Sequence, residues 1–301
     1  MIGSNQNELA PGERFVWRYT LPIFLIWGVG VVGPFFTGVS VVAVGVAIWL
    51  YFLRMFFITG FYHRYFSHLS YKVGRVMQFC MACCGCTAMQ KGPIWWPSHH
   101  RHHHQHSDTP DDVHSCKLRG LWWSHVGWIL CRKFHSVNEA TVPDLLKFPE
   151  LRWLDRDYHH LWPVALLALA CFGFGSWLGA DWGTSGWQML IWGFFISTVV
   201  LFHATSTINS LAHLMGRKRY KTGDESRNSF FLAIITMGEG WHNNHHHYPA
   251  TVRQGFYWWE IDLTYYILRL FEKLGIIWDM NPLPDAHREN GKIAQTPAPA
   301  T

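Results

Sequence analysis

The feature that most constrains this chain is the distribution of its charged residues. None occurs between Arg18 and Arg54, and this stretch is almost entirely apolar. At about 1.5 Å per helical residue it is longer than one crossing of a ~30 Å hydrocarbon core. The segment 34–38, with Pro and Gly at its ends, favours a turn in the middle. The sequence therefore predicts two transmembrane helices, at about 17–34 and 39–60.

A second pair of apolar stretches lies in the other half of the chain. Residues 158–180 and 182–216 contain no Asp, Glu, Lys or Arg. They predict helices near 161–179 and 186–213, joined by a short turn that contains Asp181. With 49% hydrophobic, 17% aromatic and only 15% charged residues, the chain is apolar and aromatic for a soluble protein. We therefore expect an all-α membrane protein with four transmembrane helices.

The loops at the two ends of these helices differ in charge. The two turns at one end carry a single acidic residue and no basic residue. Basic residues gather at the opposite end, which the positive-inside rule makes cytoplasmic. They are Arg54, Arg64, Lys72, Arg75, Lys117, Arg119, Arg132, Lys133 and four of the residues in 217–221. Both termini would then face the cytoplasm.

The predicted organisation is one membrane domain, residues 17–280, between two short terminal segments. Residues 1–16 lack the basic region and apolar core of a signal peptide, and they are expected to be cytosolic. Residues 281–301 are rich in proline and are expected to be a disordered tail.

Two segments outside the predicted spans have the character of membrane-interface helices. Residues 76–90 are apolar but short for a membrane crossing. Residues 255–278 mix aromatic with charged side chains, which is typical of an amphipathic helix at the headgroups. An ordinary packed helix is the alternative for the second segment.

Two further patterns have a structural and a functional interpretation. The cysteine cluster between Cys80 and Cys86 fits a zinc or iron–sulfur site, but reduced, buried thiols are favoured in this apolar segment. Gly28, Gly30 and Gly33 match a dinucleotide-binding fingerprint without the strand-then-helix unit that it requires. Close packing of a membrane helix is therefore favoured for these glycines.

Histidines carry the chemistry that the sequence indicates. Three separate motifs are rich in them: 63–68 (HRYFSH), 100–104 (HRHHH) and 242–247 (HNNHHH). The two later motifs place histidines at i, i+3 and i+4, so three imidazoles would project from one helix face and converge on a cation. The two histidines of the first motif lie roughly 140° apart on an ideal helix. They could reach different metals, unless the helix ends between them.

The ligand type narrows the choice of metal. The motifs offer imidazole without Cys, Asp or Glu at ligand spacing, and imidazole suits zinc, copper, iron and nickel. A structural zinc site needs only four ligands and usually contains thiolates. The motif histidines are too many for one ion and about right for two, and two metals in a membrane protein suggest oxygen chemistry on iron. The net charge of +5 fits cytoplasmic loops and requires no nucleic acid.

Together with 124–133 (SHVGWILCRK), 209–213 (NSLAH) and 238–246 (GEGWHNNHH), these motifs resemble the integral-membrane acyl-CoA desaturases of the stearoyl-CoA or delta-9 type. The resemblance covers roughly residues 40–260 and keeps the order of the family's motifs. It implies four transmembrane helices beneath a cytosolic helical cap that holds two iron ions. The implied ligands are His63, His68, His100, His103, His104, His213, His242, His245 and His246, with Asn209 holding a metal-bound water.

The central motif fits the family spacing in two registers. A register that begins at His99 satisfies H-x-x-H-H as well as one that begins at His100. The family's Arg directly after the first histidine selects the second register, which leaves His99 and His102 outside the ligand set. Candidates to orient ligand imidazoles, if they are not simply solvated, are Asp108, Asp111, Asp112 and Glu239.

The resemblance implies an oxygen-dependent oxidoreductase that introduces a cis double bond, at the delta-9 position, into a saturated fatty acyl chain carried by coenzyme A. Two electrons would come from an external ferredoxin, or from a small cytochrome with its reductase. The segment 96–98 (WPS) departs from animal relatives, which have a CoA-binding Arg there. This departure keeps acyl carrier protein and phospholipid open as acyl carriers.

Two other kinds of activity fit some of these features. A hydroxylase, an acetylenase or a terminal-alkene-forming enzyme of the same superfamily would share the histidine motifs and differ in substrate pose. A histidine-rich metal transporter would place polar ligands near the membrane midplane, whereas these motifs lie at helix ends and in loops. Product analysis and metal exchange would separate these alternatives.

Five residues are candidates for substrate binding. They are Tyr51, Met55, Thr59, Arg132 and Lys133. The first three are spaced by four and lead to His63, so they form one stripe that an acyl chain would meet below the metals, unless they pack against another helix. The two basic residues are candidates to bind CoA phosphates or an acidic electron carrier, together with the basic run 217–221. Setting the membrane topology is the alternative role for these cations.

Overall fold

Four long apolar helices form the body of the molecule. The computed structural model describes residues 13–293, and within this range four helical segments are long and apolar enough to cross a membrane. They are Thr20–Thr37, Val41–Ser67, His159–Trp182 and Gly186–His213. Most of the remaining secondary structure is helical as well. The predicted fold class, an all-α membrane protein with four transmembrane helices, is confirmed.

Thirteen α-helices follow one another along the described residues. They are α1 Trp17–Thr37, α2 Val41–Phe56, α3 Arg75–Cys86, α4 Trp95–His106, α5 Cys116–His125, α6 Pro149–Asp155, α7 Trp162–Trp182, α8 Gly186–Gln188, α9 Ser197–Ser210, α10 Phe230–Ile235, α11 His242–His247, α12 Leu263–Lys273 and α13 Asp285–Glu289. The π-helices Phe57–Ser67 and Met189–Ile196 continue α2 and α8. Short 3-10 helices are Gly127–Leu130, Arg132–Phe134, Glu139–Thr141, Leu145–Lys147, His159–Leu161 and Leu211–His213.

The first helical hairpin turns later than the sequence predicts. α1 continues through Pro34 to Thr37 and ends where Gly38, with a φ of 69°, donates its N–H to the Pro34 carbonyl. A proline is tolerated in a membrane helix when the backbone groups that it frees are satisfied nearby. Ser40 then caps α2 by accepting a hydrogen bond from the Ala43 N–H. The turn is therefore set by the glycine and the cap.

The glycines of α1 permit close packing against the last membrane helix. A Cβ atom at Gly33 would lie 2.7 Å from the Ile191 side chain, and one at Gly30 would lie 3.0 Å from Val199. Membrane helices associate through small residues in this way. The structure supports the packing interpretation of this glycine pattern.

The two membrane helices that carry candidate ligands both contain a long π-helix. The first, Phe57–Ser67, carries the helix beyond residue 60, where the sequence predicts its end, and includes His63. The second, Met189–Ile196, precedes α9, and the 3-10 turn Leu211–His213 follows α9. π-Helices are rare and concentrate at functional sites. These irregular segments place the candidate ligands at one end of the four-helix body.

A helical cap covers this end. β1 (Lys72–Val73) pairs antiparallel with β2 (Ile277–Trp278), which joins the chain after α2 to the chain after α12. The Asp155 side chain at the end of α6 accepts hydrogen bonds from the backbone N–H groups of Ile94 and Trp95, where α4 begins. These hydrogen bonds tie the start of α4 to the end of α6, shortly before the third membrane helix begins.

The cap segments expected at the membrane interface expose apolar side chains. In α3, Met81 and Ala82 are buried, whereas Val76 and Cys80 are exposed. Residues 255–278 contain the amphipathic α12, and Trp258 just before it is 81% exposed. These surfaces are suitable for contact with headgroups, and the interfacial position of both segments stays a prediction.

The tail is more ordered than the sequence predicts. The Asn281 N–H donates to the Ser70 carbonyl, α13 forms at Asp285–Glu289, and the Lys221 N–H donates to the Gly291 carbonyl. Residues 281–293 are thus held to the cap by backbone hydrogen bonds that proline content does not reveal. The rest of the predicted tail, 294–301, and most of the predicted N-terminal segment, 1–12, lie outside the described residues.

The cysteines of α3 do not converge on one point. Over residues 13–293 the cysteines are all free thiols, and none belongs to a converging group of potential metal ligands. Burial raises the pKa of Cys83 and of Cys84 to about 11. These two thiols are therefore protonated near neutral pH.

Candidate metal centre

The histidine motifs converge into two groups above the membrane helices. The first histidine cluster consists of His63, His68, His100, His104 and His245. The second histidine cluster consists of His103, His213, His242 and His246. Within each cluster, one ring nitrogen from every member lies within 4.8 Å of those of the others. The structure thus brings together every histidine that the resemblance implies as a ligand and divides them between two sites.

α4 and α11 each contribute to both clusters. In α4, His100 and His104 join the first cluster, whereas His103 joins the second. In α11, only His245 joins the first cluster. The expectation that three imidazoles at i, i+3 and i+4 converge on one ion is therefore wrong, because the three side chains fan over an arc wide enough to reach two centres.

The imidazoles of both clusters point their Nε2 atoms at one another. In the first cluster, the Nε2 atoms of His63 and His245 lie 3.0 Å apart, and those of His68 and His100 lie 2.9 Å apart. In the second cluster, the Nε2 atoms of His213 and His242 are separated by 3.1 Å.

Four of these histidines are oriented by a carboxylate at Nδ1. Glu239 contacts Nδ1 of His63 in the first cluster. In the second cluster, Asp112 lies 2.9 Å from His103, Asp108 lies 3.2 Å from His213, and Asp224 lies 2.6 Å from His246. A carboxylate at Nδ1 holds the proton there, so Nε2 presents a lone pair. This is the tautomer that a metal ligand needs.

The sequence predicts three of these carboxylates as candidates to orient ligand imidazoles, but it does not predict Asp224. It precedes its partner His246 by 22 residues, so no helical spacing connects them. Asp111, the remaining candidate, is exposed, and its backbone carbonyl contacts His102 instead of a cluster histidine.

Hydrogen bonds to the carboxylates keep them ionised despite their burial. Burial raises the pKa of Asp224, but the hydrogen bonds from His246 and from the Ser226 hydroxyl lower it far more. The pKa of Asp112 is held below its usual range in the same way, against burial, by His103 and His114. Each carboxylate is therefore a fixed negative charge beside the second cluster.

Burial keeps five of the cluster imidazoles neutral near pH 7. Burial, followed by the charge of neighbouring imidazoles, holds the pKa values of His100, His104, His242 and His245 well below the ordinary histidine value. Burial also lowers the pKa of His246, to about 4. Neutral imidazole is the form that binds metal.

The donor set fits metal ions on the geometry alone. Two Nε2 lone pairs about 3 Å apart repel each other unless a cation lies between them. The buried Nε2 atoms of His103 and His246 have no hydrogen-bond partner among the described residues. A buried polar atom without a partner is costly, and a metal ion would satisfy both of these atoms. The histidine clusters are therefore able to bind metal.

Two arginines from the motifs fasten the first cluster. Arg64, which is buried, donates to Glu239 at 3.2 Å and to Asp262 at 2.9 Å, and so fixes the carboxylate that orients His63. Arg101 donates to the backbone carbonyls that precede His68, and it forms a bidentate ion pair with Asp144. The arginines next to the motif histidines thus join the motifs to each other.

The remaining motif histidines point away from both clusters. His99 Nε2 lies 3.1 Å from the Ser136 carbonyl. His102 Nε2 lies 2.9 Å from the Asp111 carbonyl, and its ring stacks on that of His106. Their positions agree with the register that begins at His100.

A narrow cavity of about 40 Å³ runs from the clusters down between the membrane helices. Its wall includes Met55, Thr59 and Asn209 beside His63 and His242. Tyr51 is not part of this wall, because its hydroxyl donates to the Ile235 carbonyl at 2.6 Å and so faces α10. Of the three residues in the predicted stripe, only Met55 and Thr59 therefore line the cavity.

A second, larger cavity of about 700 Å³ meets the first one at Trp96, His100, Thr205 and Asn209. It extends along the exposed start of α1 and is lined there by Arg18, Pro22, Ile26 and Trp27, with Lys91 opposite. Where the two cavities meet, Gln90 donates to the Thr205 hydroxyl at 3.0 Å and accepts from the Trp96 indole at 3.2 Å.

The predicted basic substrate contacts lie away from both cavities. Arg132 and Lys133 are exposed on a 3-10 helix and line neither cavity. Lys133 instead pairs with Glu13 at 3.3 Å. The basic side chains that do line the larger cavity are Arg18 and Lys91. The sequence does not predict this position, because neither residue belongs to a recognisable motif.

The fold and the histidine clusters define a helical membrane protein with metal-binding sites at one end. Comparison with known proteins gives the class. The family model for fatty acid desaturase matches residues 39–279, and the chain belongs to this family. The resemblance stated from the sequence is confirmed, and so is the enzyme class, an oxidoreductase that desaturates fatty acyl chains.

Several characterised relatives differ in the substrate that their names state. An sn-1 stearoyl-lipid 9-desaturase of Anabaena variabilis is 37% identical over 266 residues, which is 86% of this chain and 92% of the relative. An acyl-CoA 5-desaturase of Anemone leveillei is 36% identical, over 75% of this chain and 68% of the relative. A delta-9 acyl-lipid desaturase of Arabidopsis thaliana is 34% identical, over 90% of this chain and 85% of the relative.

Proposed function

We propose that this protein is an oxygen-dependent di-iron desaturase that introduces a cis double bond at the delta-9 position of a saturated fatty acyl chain. The observation that carries the proposal is the pair of histidine clusters at the wall of a narrow, largely apolar cavity. The delta-9 position is supported by relatives whose names state that position.

The proposed ligands are the nine clustered histidines, and Asn209 would hold a water on the metal of the second cluster. Bound iron would supply the oxygen activation and electron transfer that remove hydrogen from a methylene group, which no acid or base in the chain can do. The reaction consumes the saturated chain, O2, two electrons and two protons, and yields the alkene and two waters. The same donor set would serve a hydroxylase, and product analysis separates the two.

The protein's own part is to hold the chain and exclude water. Met55 and Ile58 offer apolar surface below the clusters, and the Gln90–Thr205–Trp96 hydrogen bonds fix the wall where the cavities meet. This wall would hold a methylene in one orientation toward the histidine clusters, and that orientation would set the position and geometry of the double bond.

We propose acyl-CoA as the acyl carrier, because the lining of the larger cavity includes two basic residues, Arg18 and Lys91, whose positive charge attracts phosphate. A membrane glycerolipid is the second candidate. It is favoured by the exposed Pro22 of α1, which lines the same cavity and lies in a membrane span. A substrate could therefore enter from the bilayer.

The decisive experiment supplies purified protein with iron, O2 and a reducing system, and offers saturated acyl-CoA or a saturated diacyl lipid in nanodiscs. A monounsaturated product in either arm, absent from His103→Ala, supports the desaturase, and the productive arm names the carrier. A hydroxylated product, or none in either arm, would reject the proposed reaction.

The histidine clusters would face the cytoplasm, where an external ferredoxin or small cytochrome delivers electrons. Of the basic run 217–221, Lys218 pairs with Glu225 at 2.8 Å and Arg219 pairs with Glu260. Arg217 and Lys221 are then the better candidates to meet an acidic carrier. Reduction should slow steeply as salt rises. A rate that stays flat with ionic strength would remove this docking mode.

Met55 would set the accepted chain length, because it lines the narrow cavity below the metals. Met55→Ala should shift preference toward longer saturated chains in a competition assay, without moving the double bond. Tyr51→Ala is the matched control, since Tyr51 faces α10 and should alter chain length less. An unchanged preference in Met55→Ala would exclude this residue as the ruler.

A further inference from the structure

A chain of hydrogen bonds outside both histidine clusters, half-buried at its histidines, ties the end of α5 to the end of α9. The Ser124 hydroxyl, which is fully buried, donates to the Asn209 carbonyl at 2.6 Å. The next residue, His125, places Nδ1 at 3.0 Å from the Ser210 hydroxyl oxygen. Two consecutive residues of α5 are thus hydrogen-bonded to two consecutive residues of the last membrane helix.

These hydrogen bonds lie where that helix changes from α-helical to 3-10 geometry. α9 ends at Ser210, whose φ and ψ are −108° and −70°, and a 3-10 turn then carries His213. Carbonyl groups in the last turn of an α-helix lose their partners inside the helix. Ser124 therefore satisfies a carbonyl of the last turn and fixes the point at which the chain leaves α9.

The hydrogen bonds assign the proton positions along the chain. The Ser210 hydroxyl donates to the Ser206 carbonyl at 2.8 Å, so it accepts from His125 Nδ1–H. His125 Nε2 must then accept, and it does so from Nδ1–H of His203, 3.0 Å away on α9. The His203 ring lies against Trp27 of α1, with ring centroids 4.7 Å apart. Every donor in this series of hydrogen bonds therefore has an acceptor. The contacts extend from α5 through α9 to α1.

Two residues of the metal centre depend on this end of α9. The Asn209 side chain lines the junction of the two cavities, and His213 Nε2 lies 3.1 Å from His242 Nε2. His213 is the one histidine that the last membrane helix gives to either cluster. The other three members of the second cluster stand on α4 and α11. A shift of about 1 Å at the end of α9 would thus open the second cluster and leave the first one intact.

We infer that Ser124 and His125 are positioning residues for Asn209 and His213, and that they close the second metal site. This inference rests on the proposed function, because it supposes that the clusters bind metal. It assigns a role to a segment, 124–125, that contacts neither cluster through the described side-chain hydrogen bonds. A merely structural role would weaken both sites together, whereas positioning acts on the second site alone.

The experiment measures metal content and metal release in folded, monodisperse protein in detergent. The variants are Ser124→Ala, Ser124→Thr and His125→Leu, loaded with Fe²⁺ and then challenged with a chelator. Ser176→Ala is the matched control, because its hydroxyl also donates to a carbonyl in a membrane helix, Phe172 at 2.8 Å, far from the metal centre.

Wild type and Ser176→Ala should hold two ions per chain. Ser124→Ala and His125→Leu should hold one ion firmly and release the other at least tenfold faster, and Ser124→Thr should restore the second ion. If a variant fails to fold, His203→Phe serves instead, since it removes only the far link of the chain and should give a smaller acceleration. Two ions held as firmly as in wild type, or both lost together, would overturn the inference. A wild type without metal would instead reject the proposed function.

Discussion

The two histidine clusters lie side by side but are held by different means. The second cluster has four imidazoles, and three of them have an ionised carboxylate at Nδ1. The first has five imidazoles and one such carboxylate, Glu239. Its geometry is fixed instead by two arginines, Arg64 and Arg101, that bind carboxylates and backbone carbonyls. Nearby negative charge favours a metal cation and makes imidazole more basic. The second cluster should therefore bind its ion more tightly, and the first should depend more on the packing of the cap.

The largest expected effect comes from removing a ligand of either cluster. His103→Ala in the second and His245→Ala in the first should each abolish activity and lower bound iron, while the protein stays inserted in the membrane. Their matched control is His102→Ala, because His102 contacts the Asp111 carbonyl outside both clusters. Metal analysis with a product assay checks this. A dead, iron-poor His102 variant, or an active His103 or His245 variant, would refute the assignment.

The next effect separates the clusters through their carboxylates. Asp224→Asn removes the anion at His246, and we expect it to lower affinity for one ion by about 10–100-fold while the other ion is retained. Glu239→Gln should act on the first cluster in the same way. Asp111→Asn is the control, since Asp111 is exposed and orients no cluster histidine. Chelator titration gives the affinities, and equal loss of both ions in Asp224→Asn would mean that the clusters are not independent.

Arg101→Lys tests whether arginines hold the first cluster. A lysine cannot replace the bidentate pair with Asp144 and the contacts to the Phe66 and Ser67 carbonyls together. We expect a loss of about 1–3 kcal/mol in stability, with weaker binding of one ion. The control, Arg75→Lys, alters an exposed bidentate pair with Glu150 and should change neither quantity. Thermal unfolding with metal analysis decides, and an unchanged first site would show that the carboxylate alone suffices.

The smallest effect concerns histidines outside the clusters. Burial lowers the pKa of His99 to about 4 and that of His135 to about 3. An unfolded histidine binds a proton near pH 6.5, whereas these two bind one only near pH 4 or below. The unfolded state therefore holds more protons in this window, and stability of the metal-free protein should fall as pH drops from about 6.5 to 4. His135→Gln should flatten this dependence, and an unchanged slope would show that His135 titrates normally.

Much of this account was available from the sequence. Charge-free stretches define four membrane helices because a charge inside a bilayer is costly. The three histidine motifs contain every member of both clusters except His213, which the family resemblance implied. The division of each motif between two sites was not predictable, because it depends on how α4 and α11 lie against each other. Asp224 and the cavity residues Arg18 and Lys91 also escaped notice, since they reach the site through tertiary packing.

The local irregularities of the membrane helices were equally hidden. A π-helix leaves no apolar periodicity of its own, so the sequence predicts an end of the second membrane helix near residue 60, whereas the helix continues to Ser67. Spacing alone predicts that Tyr51 faces the same way as the rest of its stripe. A hydrogen bond from its hydroxyl to α10 instead turns this side chain away from the cavity.

The most direct test of the central claim is the iron content of the purified, folded protein, measured on the same preparation that is assayed for double-bond formation. The account predicts two iron ions per chain, one for each cluster. Product formation should rise only when both clusters of the same chain are occupied. Full desaturase activity with a single ion per chain, or firmly bound zinc without any unsaturated product, would contradict it.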